Sequence, residues 1–344
     1  MKKRAISILL TLCLLLGLLS PASVQATPAA SPDTFVRKSG TEMPISQMNN
    51  IAYGNGLYVS AGYYGAIVKS ADGMHWSTVK GQNDVSSYTG ITSSYLPGGG
   101  TTFVFSGVAF GSGKFVVTGD CGVILTSADG QTWSQQTSPV STAISEVKYL
   151  TLNGVSMFYA LIKGGYLTSP DGITWLLHTS PEIAADAVPT EITVGRNGTQ
   201  LAIGMADGAA GWYQGKIIYS ADGVNWTATA RLSIGEYQYA GNINMLRWEN
   251  DRYVISDLNA YVWTSADLQL FTRLGDPFKT SSADYDNQMF TGFYAGGLYY
   301  LFGSQSPYGY GAVYTSPDCV SWTLQPFKNS FTTQNAEYLN GMYF

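Results

Sequence analysis

From residue 48 onward the chain alternates short runs of β-branched and aromatic residues with breaks rich in Gly, Asn and Asp. One stretch shows the rhythm. Residues 106–110 form an apolar run, Gly111-Ser112-Gly113 a turn, and residues 114–119 a second run. After Asp120-Cys121-Gly122 a third run covers 123–127, and a fourth begins at Trp133. Short runs of this kind bounded by turn residues are strand and hairpin signals, not helix signals. Each such unit predicts a four-stranded antiparallel meander. A lone meander leaves apolar surface on both faces and needs neighbours to cover it.

The unit repeats. Ser70-x-Asp72-x-x-x-Trp76 recurs as Ser127, Asp129, Trp133, as Ser169, Asp171, Trp175 and as Ser220, Asp222, Trp226. Two copies lack the Gly after the Asp: Ser265, Asp267, Phe271 and Ser316, Asp318, Trp322. The Asp positions step by 57, 42, 51, 45 and 51 residues, a period that fits a propeller blade of four strands and their turns. Asp-Gly supplies the turn between strands three and four. Ser and Asp side chains can bond turn N–H groups, and the aromatic residue packs between sheets. The motif residues are therefore expected to be structural.

The pattern resembles the Asp-box, or bacterial neuraminidase repeat, of the sialidase-like superfamily. That repeat recurs in sialidases, xyloglucan-hydrolysing two-propeller enzymes, sortilin-type receptors and photosystem II assembly factors. The resemblance implies an all-β propeller and leaves function open, because these proteins share a fold and do different things. Six motifs imply six complete blades. Residues 338–344 resemble residues 53–59, the start of blade one, and residues 34–38 resemble the strand that follows each motif. The expectation is a seven-bladed ring with one blade split between the termini, in a chain truncated at its C-terminus.

Residues 1–26 read as a signal peptide: Lys2, Lys3 and Arg4, an apolar stretch over 5–19, and Val24-Gln25-Ala26 before the cut. Residues 27–344 are then one propeller domain, exported to the cell surface or medium without a membrane span. The net charge of −5 becomes −8 when those three cations leave, which disfavours nucleic acid as a partner. Charged residues make up only 12% of the chain, whereas 45% are apolar and 24 are Tyr, so disorder is excluded. Two cysteines remain, Cys121 and Cys319, expected as free thiols on distant blades. Such low Cys usage resembles Gram-positive secreted proteins.

Candidate chemistry concentrates on the loops between strands two and three. Tyr63, Tyr64, Tyr166, Trp212, Tyr213, Tyr261, Tyr308 and Tyr310 are expected there as an aromatic ligand-binding face, joined by Tyr88, Tyr95, Tyr237, Tyr239 and Tyr285 between blades. Aromatic faces beside polar groups suit sugar rings or peptide side chains. Catalytic signals are poor: Arg37, Arg196, Arg231, Arg247, Arg252 and Arg273 form no sialidase-like carboxylate grip. Asp84, Glu146, Glu182, Asp186, Glu236, Asp276, Asp284 and Asp286 could supply a glycosidase pair, with nothing singling one out. His75 and His178 make no metal site, and Asp284, Asp286 and Asn287 lack the pattern of a calcium loop. No cofactor or metal is expected. The reading is a monomeric, non-catalytic module binding a polysaccharide, a surface glycan or an extracellular protein. A glycoside hydrolase and an assembly or spacer role are the alternatives.

Overall fold

The computed structural model describes residues 48–95, 100–207, 214–230, 232–235, 238–239, 241–257, 261–274, 288–305, 310–325 and 336–344. Six four-stranded antiparallel sheets follow one another along the chain. Blade one is β1 (Met48–Gly54), β2 (Leu57–Gly62), β3 (Ile67–Ser70) and β4 (Ser77–Lys80); blade two is β5 (Phe105–Gly111), β6 (Lys114–Gly119), β7 (Ile124–Ser127) and β8 (Ser134–Gln136). Blade three is β9 (Ile144–Leu152), β10 (Val155–Ile162), β11 (Gly165–Ser169) and β12 (Leu176–His178). Blade four is β13 (Val188–Gly195), β14 (Gln200–Asp207), β15 (Gln214–Ser220) and β16 (Thr227–Ala228). A two-stranded insert, β17 (Ser233–Gly235) and β18 (Gln238–Tyr239), precedes blade five: β19 (Ile243–Glu249), β20 (Arg252–Asp257), β21 (Val262–Ser265) and β22 (Thr272–Arg273). Blade six is β23 (Gln288–Ala295), β24 (Leu298–Gln305), β25 (Tyr310–Ser316) and β26 (Thr323–Leu324), and a hairpin of β27 (Tyr338–Leu339) and β28 (Met342–Tyr343) ends the chain. This is the all-β propeller that the repeats imply.

Middle strands are buried on both faces, which is why they read as continuous apolar runs rather than alternating ones. Phe105, Phe115 and Phe158 are fully buried, each stabilising the fold by about 2 kcal/mol. Blades approach closely at glycines on the inner strands. A Cβ on Gly54 would lie 2.0 Å from the Phe110 ring of blade two, and one on Gly111 2.1 Å from the Tyr149 ring of blade three. Only a residue without a side chain lets those rings lie flat on the neighbouring backbone.

The terminal hairpin sits where the inner half of a seventh blade belongs. The motif turn of blade two packs Gly130 on Val59 and Leu57 of blade one, and that of blade three packs Gly172 on Val116 of blade two. By the same rule Gly73 of blade one packs on Met342 and Phe344. Phe344 also lies 5.0 Å from the Tyr58 ring and edge-on to Trp76 at 6.4 Å. On the other side Tyr338 stacks on Phe293 of blade six at 6.3 Å. The strand expected from residues 34–38, and the signal peptide, lie outside the described residues.

Candidate functional site

The ring has two ends of different character. At one end, the motif end, lie the turns between strands three and four. In all six, the Ser hydroxyl donates to its Asp carboxylate, at 3.0, 2.9, 3.0, 2.9, 3.4 and 2.9 Å in chain order. The same carboxylate oxygen accepts two backbone N–H groups, as Asp171 does from Ile173 and Thr174 at 2.8 and 2.9 Å. The Trp indole N–H donates to the carbonyl of the residue after the Asp in blades one, two, three and six. These backbone donors hold the carboxyls of Asp72, Asp129, Asp171, Asp222, Asp267 and Asp318 below the usual carboxylate range. One oxygen of each carboxylate is thus committed to holding its own turn. In blades five and six, Leu268 and Cys319 occupy the Gly position at φ 61° and 64° and bury their side chains completely.

The opposite end, the loop end, is where each inner strand begins. Each inner strand of the six blades carries a register shift near its start, as between Met48 and Asn50 or Ile243 and Met245. A bulge of this kind turns an extra side chain out of the ladder. In blades one to five the extra residue is polar: Asn49, Ser106, Ser145, Thr190 and Asn244. They form a collar around a cavity of about 380 Å³, completed by Asn50, Thr291, Glu146, Glu191 and Arg247. Several collar groups also stitch blade to blade. Asn49 Nδ2 donates to the Phe105 carbonyl at 3.0 Å, and Ser145 Oγ to that of Pro189 at 3.5 Å. Asn50 donates to the Ser106 carbonyl and Thr190 to that of Ile243.

Below the collar lies an ionic layer. Lys148 Nζ donates to Glu191 Oε2 at 2.7 Å and to the Ile192 carbonyl at 3.1 Å, and lies 3.0 Å from Glu146 Oε1. Arg247 makes a two-pronged bond to Glu337, at 2.7 and 3.2 Å, joining blade five to the residue just before the terminal hairpin. Burial, together with the neighbouring Glu191 carboxylate, pushes the Glu146 carboxyl up to about 7, against the pull of Lys148. Burial does the same to Glu249, also to about 7, against the pull of Arg247. Glu337 is buried too, yet the guanidinium of Arg247 holds it below the ordinary range. Glu146 and Arg247 also line a second cavity of about 360 Å³ nearer the motif end, so the ionic layer divides the channel.

The aromatic candidates are dispersed. Tyr166 is not part of any loop face: it lies within β11, is 2% exposed, stacks on His178 at 4.8 Å and donates its hydroxyl to the Gly223 carbonyl of blade four. Its ring is core because the third strand passes inside the sheet there. Tyr63 is half-buried and pairs with Val104; Tyr64 is exposed. Tyr261 is half-buried with the Arg273 guanidinium 4.6 Å above its ring. Tyr310 begins β25, and Tyr239 lies in β18. Trp212, Tyr213, Tyr308, Tyr237 and Tyr285 lie outside the described residues, as do Glu236, Asp276, Asp284 and Asp286. Tyr88 is buried and Tyr95 half-buried.

Of the carboxylate candidates, Glu146 belongs to the channel wall rather than to a loop. Asp84 pairs with Lys80 at 3.0 Å, Glu182 with Lys216 at 3.3 Å, and Asp186 lies in a turn. Lys148, Glu191, Glu249 and Glu337 are the residues that sequence reasoning missed. Their signal was positional: charges on first strands or, for Glu337, just before one, in a chain with few charges. Cys121 and Cys319 are both unpaired. Among the described residues no group of three or more His, Cys, Asp or Glu is arranged to hold a metal, and no helix is long and apolar enough to cross a membrane.

The fold and the polar channel define the chain as a β-propeller. No protein-family model matches it, and no curated protein matches it in sequence. Solved structures do match in fold. YCF48 from Cyanidioschyzon merolae is 14% identical over 86% of this chain and 90% of that one, with a TM-score of 0.61. YCF48 bound to a D1 peptide is 13% identical over 86% of each chain, at 0.60. A GH74 enzyme from Niastella koreensis is 15% identical over 80% of this chain and 46% of that one, at 0.53.

Proposed function

We propose that this chain is an exported, non-catalytic binding propeller that holds an extracellular polysaccharide at its loop end. The collared cavity carries the reading. Its size lies in the range of small-ligand sites, and its upper wall is built from side-chain amides and hydroxyls. Such groups match a ligand dense in hydroxyls. The ionic layer beneath is largely neutralised within itself, Lys148 by two glutamates and Arg247 by Glu337, and so favours no strongly charged ligand. The apolar stretch after Lys2, Lys3 and Arg4 supports export.

One observation favours a glycoside hydrolase instead. Glu146, raised to about 7, and Glu191 face the same cavity, and a carboxyl held protonated near neutral pH beside a second carboxylate is the equipment of glycoside hydrolysis. The Lys148 ammonium, however, contacts both carboxylates and occupies the space between them that a sugar would need. The peptide held by one YCF48 structure keeps a protein ligand as the third outcome of the test.

The test incubates the protein with a panel of plant and bacterial polysaccharides and follows retention and reducing ends in the same tubes. Retention without release is expected, lost in Ser106→Phe, which fills the collar. Reducing ends that rise with time, and vanish in Glu146→Gln, would establish the hydrolase. Absence of both signals would leave the protein-ligand reading.

A further inference from the structure

A second hollow, of about 200 Å³, lies at the loop end between blades one and two. The β2–β3 loop supplies Tyr64, and the connection from β4 to β5 supplies Tyr95, Phe103 and Val85. Phe103 and Val85 are buried and form the apolar floor, whereas Tyr64 is 45% exposed. Gln82, Thr101 and Thr102 bring an amide and two hydroxyls to the same hollow.

The walls are anchored on both blades. Tyr63 pairs with Val104, and the Gly65 N–H donates to the Phe103 carbonyl at 3.2 Å. From blade two, Asp120 Oδ2 accepts the Val104 N–H at 2.9 Å. Tyr95 sits edge-on to Phe103 at 6.0 Å. Tyr64 itself stands at φ 60°, a left-handed conformation that a bulky residue adopts at a cost and that Gly adopts freely. A ring held there against backbone preference, with nearly half its surface in solvent, contributes little to the core. An outlier of this kind points toward function.

We propose that this hollow is a subsite for one neutral hexopyranose residue, stacked on Tyr64 with its hydroxyls bonded to Gln82, Thr101 and Thr102. The inference rests on the polysaccharide reading and adds a second point of contact to it. Among the described residues no charged side chain lines the hollow, which suits a neutral ligand. A pyranose presents apolar C–H groups on one face and hydroxyls at its edge, matching the mixture of rings and polar groups. A proline or aromatic side chain would leave the amide and hydroxyls unmatched, which disfavours it.

Calorimetry on the full chain, with neutral tetrasaccharides of glucose, mannose and galactose and with tetraproline as the competing occupant, tests this. The tightest saccharide is expected to bind at least tenfold more weakly to Tyr64→Gly and within about twofold of the parent to Tyr64→Phe. Gly accepts the left-handed backbone, so Tyr64→Gly is expected to melt no lower than the parent. Should it melt lower, Gln82→Ala combined with Thr101→Val, at exposed positions, takes its place with an expected loss of at least threefold. Unchanged affinity in these variants, with loss in Ser106→Phe, overturns the subsite and leaves the channel reading standing. Tetraproline binding with no saccharide binding, or no binding at all, overturns both.

Discussion

The motif end and the loop end use carboxyl side chains in opposite ways. At the motif end, the Asp carboxylates accept N–H groups from their own turns and are held below the usual range. In the channel below the loop end, Glu146 and Glu249 are held above it by burial. The first arrangement recurs six times with nearly the same distances. The second occurs where the repeats differ: position 148 is Lys in blade three, while its counterparts are Ala52 in blade one, Ala109 in blade two and Arg247 in blade five. What every blade repeats holds the blade together, and what single blades add sets the character of the channel.

The largest expected effect comes from breaking the ionic layer. Lys148→Met leaves Glu146 and Glu191 facing each other in a buried wall, and unfolding at pH 8 is expected to require about 3–5 kcal/mol less free energy. The loss should shrink at pH 5.5, where Glu146 takes up a proton. Denaturant titrations at both pH values check this; equal losses would mean that the two carboxylates do not share the ammonium. At the motif end, Asp171→Ala removes an acceptor for two backbone N–H groups and for Ser169. It is expected to cost about 2 kcal/mol and to leave ligand binding intact.

The two ends also respond to pH with opposite sign. Glu146 and Glu249 have pKa values raised above the ordinary Glu value of 4.5 to about 7. Their contribution is therefore full below about 4.5 and is lost as pH rises through 7. The motif Asp groups have lowered values, so their contribution is present above 3.8 and is lost as pH falls below it. Thermal melts from pH 3 to 9 should peak between about 4 and 6 and fall on both sides. In Glu146→Gln the fall on the alkaline side should flatten. A smaller effect tests turn geometry: Ser112 stands at φ 47° before Gly113, where Asn is better suited, and Ser112→Asn should stabilise by about 0.5 kcal/mol.

Most of the fold was legible because it is periodic. The Ser-x-Asp spacing marks each turn between strands three and four, and the likeness of residues 338–344 to residues 53–59 marks the closing hairpin. The loop end was less legible, for two physical reasons. Tyr166 looks like a loop residue beside Gly164-Gly165, but its ring turns inward to bond blade four, a tertiary choice that no local pattern encodes. The charged layer draws Glu146, Lys148, Glu191, Arg247 and Glu337 from sequence positions up to 191 residues apart, and only ring closure brings them together. Bulges turned the collar residues into the channel, and a bulge of one residue leaves no mark in hydrophobic periodicity.

The most direct test of the loop end as a binding site is polysaccharide retention by the parent protein, Ser106→Phe and Asp171→Ala in one experiment, with reducing ends assayed alongside. Retention by the parent and by Asp171→Ala, loss in Ser106→Phe, and no reducing ends in any tube are expected. Retention that survives Ser106→Phe but fails in Asp171→Ala would place binding at the motif end and contradict the loop-end site.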